Sequence, residues 1–343
     1  MVQRSVTELK TAVVGTGLIG GSILLRLRQA GLDVTGWDPD RETREQARRR
    51  GLVFADELTD AVRDRDVVFL CGPLSTLPET LIRVAKATGD HCVITDVGST
   101  KSSVAAAAEE NGLTHRVVPG HPMSGTERSG LAAADPVLFS GAPWVLCPPA
   151  ESPIGPFRTL CRMLVDVFEA RVVPMSVAVH DTAVALASHI PHLMAGSLAG
   201  GVARSALRDA VLALAAGSFR DGTRVAGTPS ARTVDMLINN REFVLSQVEL
   251  VQGFLVDLVT ALRDNDAQRL TAHYAQSRAV REDLLTRPLA RSTERFSLSG
   301  PHDAELDFLL ELGRLGGYLT QCAVEDSTVV YTVHRPEPLT PVG

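Results

Sequence analysis

Short apolar runs and longer amphipathic segments alternate over the first half of the chain. The segments 21–30, 77–88 and 154–168 carry apolar residues at helical spacing. The apolar runs are rich in β-branched residues, which predicts buried strands at residues 11–14, 33–37, 66–71, 91–95, 143–147 and 171–173. Alternating strands and helices predict an α/β Rossmann-type domain with a parallel sheet over residues 1–175.

The pattern changes near residue 176, where long amphipathic helices replace the alternation. Helices are predicted at 177–205, in a second segment that ends at about 216, at 230–262 and at 266–286, with a polar, glycine-bearing loop at 217–224. They predict an all-α domain over residues 176–289. The last two carry apolar stripes too extensive for a small domain to bury, so we expect a homodimer through this domain.

The tail, residues 290–343, has a strand-like run at 295–298, a predicted helix at 303–323 and a strand at 328–333. This order is that of a small α/β extension. Pro191 lies inside the first helix of the all-α domain and is expected to kink or unwind it there.

Composition narrows the classes of function. The 343 residues are 45% hydrophobic and 22% charged, with a net charge of -6 and no basic block, which argues against nucleic acid or an anionic membrane as partner. No uninterrupted apolar segment approaches the ~18 residues of a membrane span, and no signal peptide is visible, so we expect a cytoplasmic protein. The five cysteines form no CxxC pair, which indicates reduced, buried thiols. The chain contains no HExxH motif, so we expect no metal site.

The first predicted strand leads directly into a glycine-rich turn and a helix. Gly15, Gly17 and Gly20 form a GxGxxG motif in the strand-turn-helix context that a dinucleotide fingerprint requires. They permit a tight turn, close approach of a pyrophosphate, and close packing of helix on strand. We expect the cofactor to contact this turn, including Leu18 and Ile19 at the helix N-terminus.

Asp38 ends the second strand, 23 positions after Gly15, where a carboxylate accepts hydrogen bonds from the adenosine ribose. It would repel a 2′-phosphate, so NAD is the expected cofactor. Arg41 lies close by in the sequence and leaves the strictness of NAD over NADP open.

Ligands collect at the carboxyl ends of parallel strands. Gly72 and Pro73 follow the third strand, and Asp96, Ser99 and Lys101 follow the fourth. We expect these residues beside the cofactor cleft.

The segment 119–130 contains two prolines and three glycines, which predicts a rigid loop that aims a side chain into a cleft. That side chain is His121, since an imidazole exchanges a proton near neutral pH and is the usual general base. In the helical half, Arg224 has the fork geometry that grips a carboxylate, and His189 and His192 lie on one helix face. Each of these also has an ordinary structural reading, as a surface ion pair or a core histidine.

Taken together, the motifs resemble those of the prephenate and arogenate dehydrogenases of tyrosine biosynthesis, in the same order to about residue 288. The matching segments are GTGLIGGS at 15–22, DVGSTK at 96–101, GHPMSGTE at 120–127, HD at 180–181 followed by SHIPH at 188–192, and FRDGTR at 219–224.

The resemblance implies NAD-dependent oxidative decarboxylation of prephenate, a small-molecule substrate, to 4-hydroxyphenylpyruvate. It implies that His121 is the base on the ring hydroxyl, that Ser99 bonds the imidazole and that hydroxyl, and that Arg224 binds the side-chain carboxylate. The remaining substrate contacts that it implies are at His192, Thr126, Glu127 and Gly217, with Glu127 at the entrance and Gly217 near the partner subunit's site.

One departure leaves the ring substrate open. Where many relatives have Asp-Pro, an apolar pair and a Trp, this chain has TPSART at 228–233. Arogenate and 4-amino-4-deoxyprephenate therefore stay as alternative substrates. Neither tyrosine inhibition nor the role of the tail follows from the sequence.

Two other classes of protein fit fewer of these sequence features. A hydroxyacid dehydrogenase of the Rossmann-plus-helices type typically uses a lysine in its helical domain, and no lysine follows Lys101. A non-enzymatic NAD-binding redox sensor would need the glycine turn but not His121, Ser99 and Arg224 together.

Overall fold

A computed structural model describes residues 5–125, 128–150 and 153–337 of the chain. Its Cα positions divide into two compact units. The first contains residues 5–180 and Leu289–Pro336, and the second contains Asp181–Pro288 with Glu337.

The secondary structure follows the predicted alternation and then becomes helical. The strands are β1 (Lys10–Val14), β2 (Asp33–Trp37), β3 (Val67–Leu70), β4 (Val93–Asp96), β5 (Gly120–Pro122), β6 (Pro143–Leu146), β7 (Arg171–Pro174), β8 (Leu289–Ser297), β9 (Tyr318–Glu325) and β10 (Thr328–Pro336). The helices are α1 (Leu18–Gln29), α2 (Arg41–Arg49), α3 (Leu58–Val62), α4 (Leu77–Ala87), α5 (Ser102–Glu110), α6 (Gly155–Asp166), α7 (Val177–Val184), α8 (Ile190–Ala203), α9 (Arg208–Leu214), α10 (Gly217–Thr223), α11 (Ser230–Asn239), α12 (Arg241–Arg263), α13 (Ala267–Thr286) and α14 (Asp303–Arg314).

The first sheet is parallel, with strand order β2-β1-β3-β4. Its central strands β1 and β3 are buried and contribute to apolar clusters on both faces, as expected for strands covered by helices on each side. The order changes direction between β1 and β3, and a nucleotide binds outside the carboxyl ends at such a point. This confirms the Rossmann-type domain predicted from the sequence.

The second sheet has the order β5-β6-β7-β9-β10-β8. The chain reaches it directly from the first sheet, because Val117 bridges to Ile94 and Gly120 then opens β5. The predicted loop around His121 is wrong here, since residues 120–122 form a short edge strand antiparallel to β6. A proline is tolerated at an edge, where its missing N–H costs no ladder bond.

The tail completes this second sheet within the same unit. The predicted helix 303–323 is too long, because α14 ends at Arg314 and Gly316 turns the chain with a positive φ of 80° into β9. Arg158 of α6 lies buried against this segment, with Nε donating to Oε1 of Glu305 at 2.9 Å. The Tyr331 hydroxyl donates to the same oxygen at 2.6 Å.

In the helical unit a π-helical turn over Ala185–His189 precedes α8. It ends two positions before Pro191, which confirms the predicted interruption, since proline cannot complete the regular hydrogen-bond ladder. Two other predictions are wrong. Residues Gly217–Thr223, in the segment expected as a loop, form α10, and the expected helix 230–262 breaks at Asn240.

By length and composition alone helix α12 could span a membrane, with a mean hydropathy of 1.4, although Glu249 and Asp257 interrupt its apolar positions. Only 6% of its most apolar window is buried within the chain. Its exposed apolar side chains are Leu245, Leu250, Leu255, Val256 and Leu262. The described part of the helical unit therefore presents a long apolar face.

Candidate active site

The turn between β1 and α1 has the shape that a bound pyrophosphate requires. Gly15 has a φ of +89°, and a Cβ on Gly20 would lie 1.9 Å from the Gly15 carbonyl oxygen. A Cβ on Gly17 would meet no heavy atom within 4 Å, so the backbone there is open to a ligand. Leu18 and Ile19 follow in the first turn of α1, whose N–H groups have no partner within the helix.

Asp38 lies just beyond the carboxyl end of β2 and reaches back to this turn. Its Oδ2 accepts hydrogen bonds from the backbone N–H of Thr16 at 2.7 Å and from the Thr16 hydroxyl at 3.0 Å. Its Oδ1 accepts from the N–H of Asp40 at 3.0 Å. The carboxylate is thus held in place at the turn, where the ribose of a dinucleotide is expected.

Gly72 and Pro73 follow β3, where Pro73 precedes a short 3₁₀ turn. Cys71 packs beside Gly20 and Gly15. Burial raises the pKa of the Cys71 thiol far above its ordinary value, and the charge of Asp96 adds to the effect. Cys71 is therefore a neutral packing residue and not a nucleophile.

A buried ion pair closes the carboxyl end of β4. Asp96 and Lys101 have no exposed side-chain surface, and the Lys101 ammonium donates to Oδ2 of Asp96. Asp96 Oδ2 also accepts from the N–H of Gly98 at 2.8 Å, and Oδ1 accepts from the N–H of Gly120 at 3.2 Å. The expected contact of Asp96 with the cofactor stays a prediction, and the structure adds this internal role.

The same pair holds the residue before His121. Lys101 Nζ donates to the carbonyl oxygen of Gly120 at 2.6 Å, so both backbone groups of Gly120 are bound. A Cβ on Gly120 would lie 2.8 Å from Oγ1 of Thr95, which explains the glycine. His121 itself pairs with Val145 of β6. The predicted base is therefore fixed by its backbone at the carboxyl end of the nucleotide sheet.

The ring of His121 contacts a residue for which no role was predicted from the sequence. Its Nδ1 lies 3.0 Å from Nε2 of His180, which is fully buried. Ser99 is half-buried and makes no hydrogen bond to another described residue, so its predicted bond to His121 stays a prediction. The shared motif around residues 180–181 was the available signal for His180.

The helical unit holds the other candidates. His192 is half-buried, with Nδ1 3.0 Å from the carbonyl oxygen of Ser188 and Nε2 3.4 Å from Oγ1 of Thr228. Thr228 is the first residue of segment 228–233, which differs from many relatives, and it contacts His192, a predicted substrate-binding residue. Arg224 is exposed at the start of a 3₁₀ turn, and Gly217 is exposed at the first position of α10.

Asn240, at the break between α11 and α12, is a further residue that the sequence did not single out. Its side-chain amide donates to the carbonyl oxygen of Asp181 at 2.9 Å, and its Nδ2 lies 3.1 Å from Nδ1 of His189. His189 is buried, which supports its structural reading. Thr126 and Glu127 lie outside the described residues.

Family models cover most of the chain. One, described as the nucleotide-binding domain of prephenate dehydrogenase, matches residues 23–174. A second, described as the dimerization domain of prephenate dehydrogenase, matches residues 176–276. Both domain types agree with the two kinds of architecture described above.

Individual relatives agree with the family models. The chain is 33% identical over 281 residues to a cyclohexadienyl dehydrogenase of Zymomonas mobilis, covering 80% of this chain and 96% of the relative. It is similar to the crystal structure of Synechocystis arogenate dehydrogenase, with 28% identity, a TM-score of 0.73, and 81% and 100% of the two chains covered.

A third relative was crystallised with ligands. The prephenate dehydrogenase of A. aeolicus, in complex with hydroxyphenyl propionate and NAD+, is 26% identical with a TM-score of 0.75, and 82% and 100% of the two chains are covered. This chain has the same architecture and domain order as these relatives. It also has the glycine turn, the carboxylate of Asp38 and the histidine at the sheet edge. This chain belongs to the prephenate dehydrogenase family of oxidoreductases.

Proposed function

We propose that this protein is a prephenate dehydrogenase, which converts prephenate to 4-hydroxyphenylpyruvate by oxidative decarboxylation in tyrosine biosynthesis. The cofactor is NAD, for which the open backbone at Gly17 and the carboxylate at Asp38 are suited. When bound, NAD accepts a hydride from the ring carbon that carries the hydroxyl group.

The observation that carries the proposal is the placement of His121. Its strand is bound through Gly120 to the Asp96–Lys101 pair at the carboxyl end of the nucleotide sheet, where ligands of such sheets collect. A fixed imidazole at that edge is suited to take the hydroxyl proton as the ring carbonyl forms. The ring carboxylate leaves as carbon dioxide, and its bonding electrons move through the ring to the carbonyl oxygen. The ring becomes aromatic, and the phenol oxygen takes a proton back from the imidazolium.

The other residues have supporting roles in this proposal. Ser99, which follows the same strand as Asp96, hydrogen-bonds the substrate hydroxyl and the imidazole. Arg224 binds the side-chain carboxylate through its guanidinium fork, and its exposed position suits a ligand-binding group. His192 and Thr126 contact the substrate, Gly217 lies near the partner subunit's site, and Glu127 governs entry to the pocket.

The proposal includes a homodimer and a cytoplasmic location. The apolar face of α12 supports the dimer, because a second copy would bury side chains such as Leu250 and Val256, each 62% exposed in the single chain. Light scattering on the purified protein should give about twice the chain mass of 36.6 kDa. A monomer at micromolar concentration would remove this part of the proposal.

NADH formation by the purified protein, measured with prephenate and with arogenate and each with NAD and NADP, tests the function. We expect turnover with prephenate and NAD. Preference for arogenate would make the protein an arogenate dehydrogenase of the same family, in agreement with its similarity to the Synechocystis enzyme. Binding of NAD without turnover of either compound would direct the next assay to 4-amino-4-deoxyprephenate, and failure there would favour the sensor.

A further inference from the structure

A second histidine lies against the ring of His121. Nε2 of His180 is 3.0 Å from Nδ1 of His121, and the two ring planes meet at 79° with their centroids 5.2 Å apart. His180 is fully buried, whereas His121 is partly exposed. A hydrogen bond between two neutral imidazoles has a direction, because one nitrogen carries the proton and the other the lone pair.

The backbone and the ring of His121 are held by different groups. Pairing of β5 with β6 and the Asp96–Lys101 pair fix the peptide around Gly120 and His121. These contacts leave the rotation of the imidazole and the position of its proton undetermined. The contact with His180 therefore bears on both.

We infer that His180 is a positioning residue whose Nε2 accepts a hydrogen bond from the Nδ1–H of His121 and so keeps the lone pair of His121 on Nε2. This inference rests on the proposed role of His121 as the base. A neutral imidazole carries a single ring proton, so a proton fixed on Nδ1 makes Nε2 the nitrogen that takes the proton of the substrate hydroxyl. The opposite direction would place the proton on Nε2 of His121 and deprive it of that capacity.

A neutral partner differs from the carboxylate that orients the histidine in a Ser-His-Asp triad. A carboxylate fixes the tautomer and also stabilises the imidazolium through its negative charge. His180 fixes the tautomer without that charge. When His121 takes the substrate proton on Nε2, its Nδ1–H still donates to His180, so the contact persists through the step and His180 exchanges no proton.

Two substitutions of His180 separate its hydrogen bond from its bulk. His180→Gln places an amide oxygen where Nε2 stood and restores an acceptor, whereas His180→Leu keeps an apolar side chain of similar size without one. We expect His180→Leu to lower kcat on the order of 100-fold with the KM for prephenate changed less than about 3-fold, and His180→Gln to stay within about 10-fold of the wild type. The exposed His115, changed to Leu, is the matched control and should leave kcat unchanged.

The second measurement is the ¹⁵N spectrum of histidine-labelled wild-type protein without cofactor, with His121 assigned through His121→Asn. We expect Nδ1 of His121 at the protonated position and Nε2 at the unprotonated one, and a mixture of tautomers in His180→Leu. A proton on Nε2 of His121 in the wild type, or unchanged kcat in His180→Leu, would overturn the inference. If His180→Leu does not fold, the wild-type spectrum and His180→Gln still decide the matter.

Failure of the proposed function has a different signature. It would appear as full turnover by His121→Asn or as no turnover of the cyclohexadienol substrates by the wild type. The tautomer of His121 in the cofactor-free protein is measured independently of both.

Discussion

Lys101 is a fully buried cation. Its ammonium is bound to the carboxylate of Asp96 and to the carbonyl oxygen of Gly120, one residue before the proposed base. A buried ion pair contributes little net stability, but the loss of one partner leaves the other charge buried and uncompensated. The pair therefore makes both stability and the position of His121 depend on Lys101.

Replacement of Lys101 by Met should lower the free energy of unfolding by about 3–5 kcal/mol, because Asp96 loses its counter-charge in the interior. Urea denaturation of the cofactor-free protein measures the change. The double variant Asp96→Asn/Lys101→Met should be less destabilised than the single one. Lys86→Met, at an exposed lysine, is the control. Equal stability of Lys101→Met and the control would show that the pair does not hold the strand.

Single residues with intrinsic chemistry were accessible from the sequence. His121 was recognisable from its ionisable side chain in a proline- and glycine-rich segment, and Asp38 from its spacing to the glycine turn. The partners of His121 were not, since the contact with His180 joins residues 59 positions apart and depends on where two distant segments meet. Nothing in the local pattern around Lys101 indicates that its ammonium reaches the carbonyl of Gly120.

At the scale of elements, the turn between β1 and α1 combines two different requirements for glycine. Gly20 is required by the fold, because a Cβ there would overlap the carbonyl oxygen of Gly15. Gly17 has a negative φ of -70° and open space around it, so the folded chain itself tolerates a side chain there. We propose that glycine is needed here so that a ligand can approach the backbone.

The two glycines should respond differently to alanine. We expect Gly20→Ala to lower the free energy of unfolding by more than about 2 kcal/mol, since backbone must move to admit the methyl group. Gly17→Ala should unfold at the wild-type denaturant concentration but bind NAD on the order of 10-fold more weakly, as measured by titration calorimetry. Wild-type NAD affinity in Gly17→Ala would argue against pyrophosphate binding at this turn.

Helices and strands were predictable where the hydrophobic residues have a strong periodicity and the sequence marks both ends of the element. The parallel strands of the first sheet and helices α1, α4 and α6 lie close to their predicted ranges. The strand β5 was missed because Pro119 and Pro122 suggest a loop, while pairing with β6 is a tertiary effect. The same holds for β9, whose residues 318–323 continued an apparently helical pattern.

At the scale of the whole molecule, the end of the chain completes a sheet begun near residue 120. Strand β9 contacts β7 through Leu319 and Val172, and β10 and β8 extend the sheet outward. The buried guanidinium of Arg158 and the carboxylate of Glu305 join α6 to α14 across 147 positions of sequence. The stability of the first unit therefore depends on Leu289–Pro336.

The contribution of the Arg158–Glu305 ion pair to stability can be tested by comparing substitutions of two arginines in the same unit. Arg158→Met leaves Glu305 buried without its counter-charge and should cost about 3–5 kcal/mol of unfolding free energy. Arg314→Met removes a surface pair with Glu311 and should leave Tm nearly unchanged. Differential scanning calorimetry compares them. Similar Tm values for the two variants would mean that the tail is held by other contacts.

The order of the two architectures along the chain was predictable, because each has its own hydrophobic period. The integration of the tail into the second sheet was not, since a strand pattern identifies neither its partner nor its sheet. The apolar face of α12 was visible as a stripe in the sequence, and the structure leaves that face exposed in the single chain. Symmetric association remains the proposed way to cover it.

The central claim is that His121, fixed at the edge of the nucleotide sheet, removes the hydroxyl proton during NAD-linked oxidation. Steady-state NADH formation from prephenate by wild type and His121→Asn, with His115→Asn as the surface control, tests it most directly. We expect kcat of His121→Asn to fall roughly 100- to 10,000-fold with KM nearly unchanged, the usual range for a positioned base. Turnover of His121→Asn at the wild-type rate would contradict the claim.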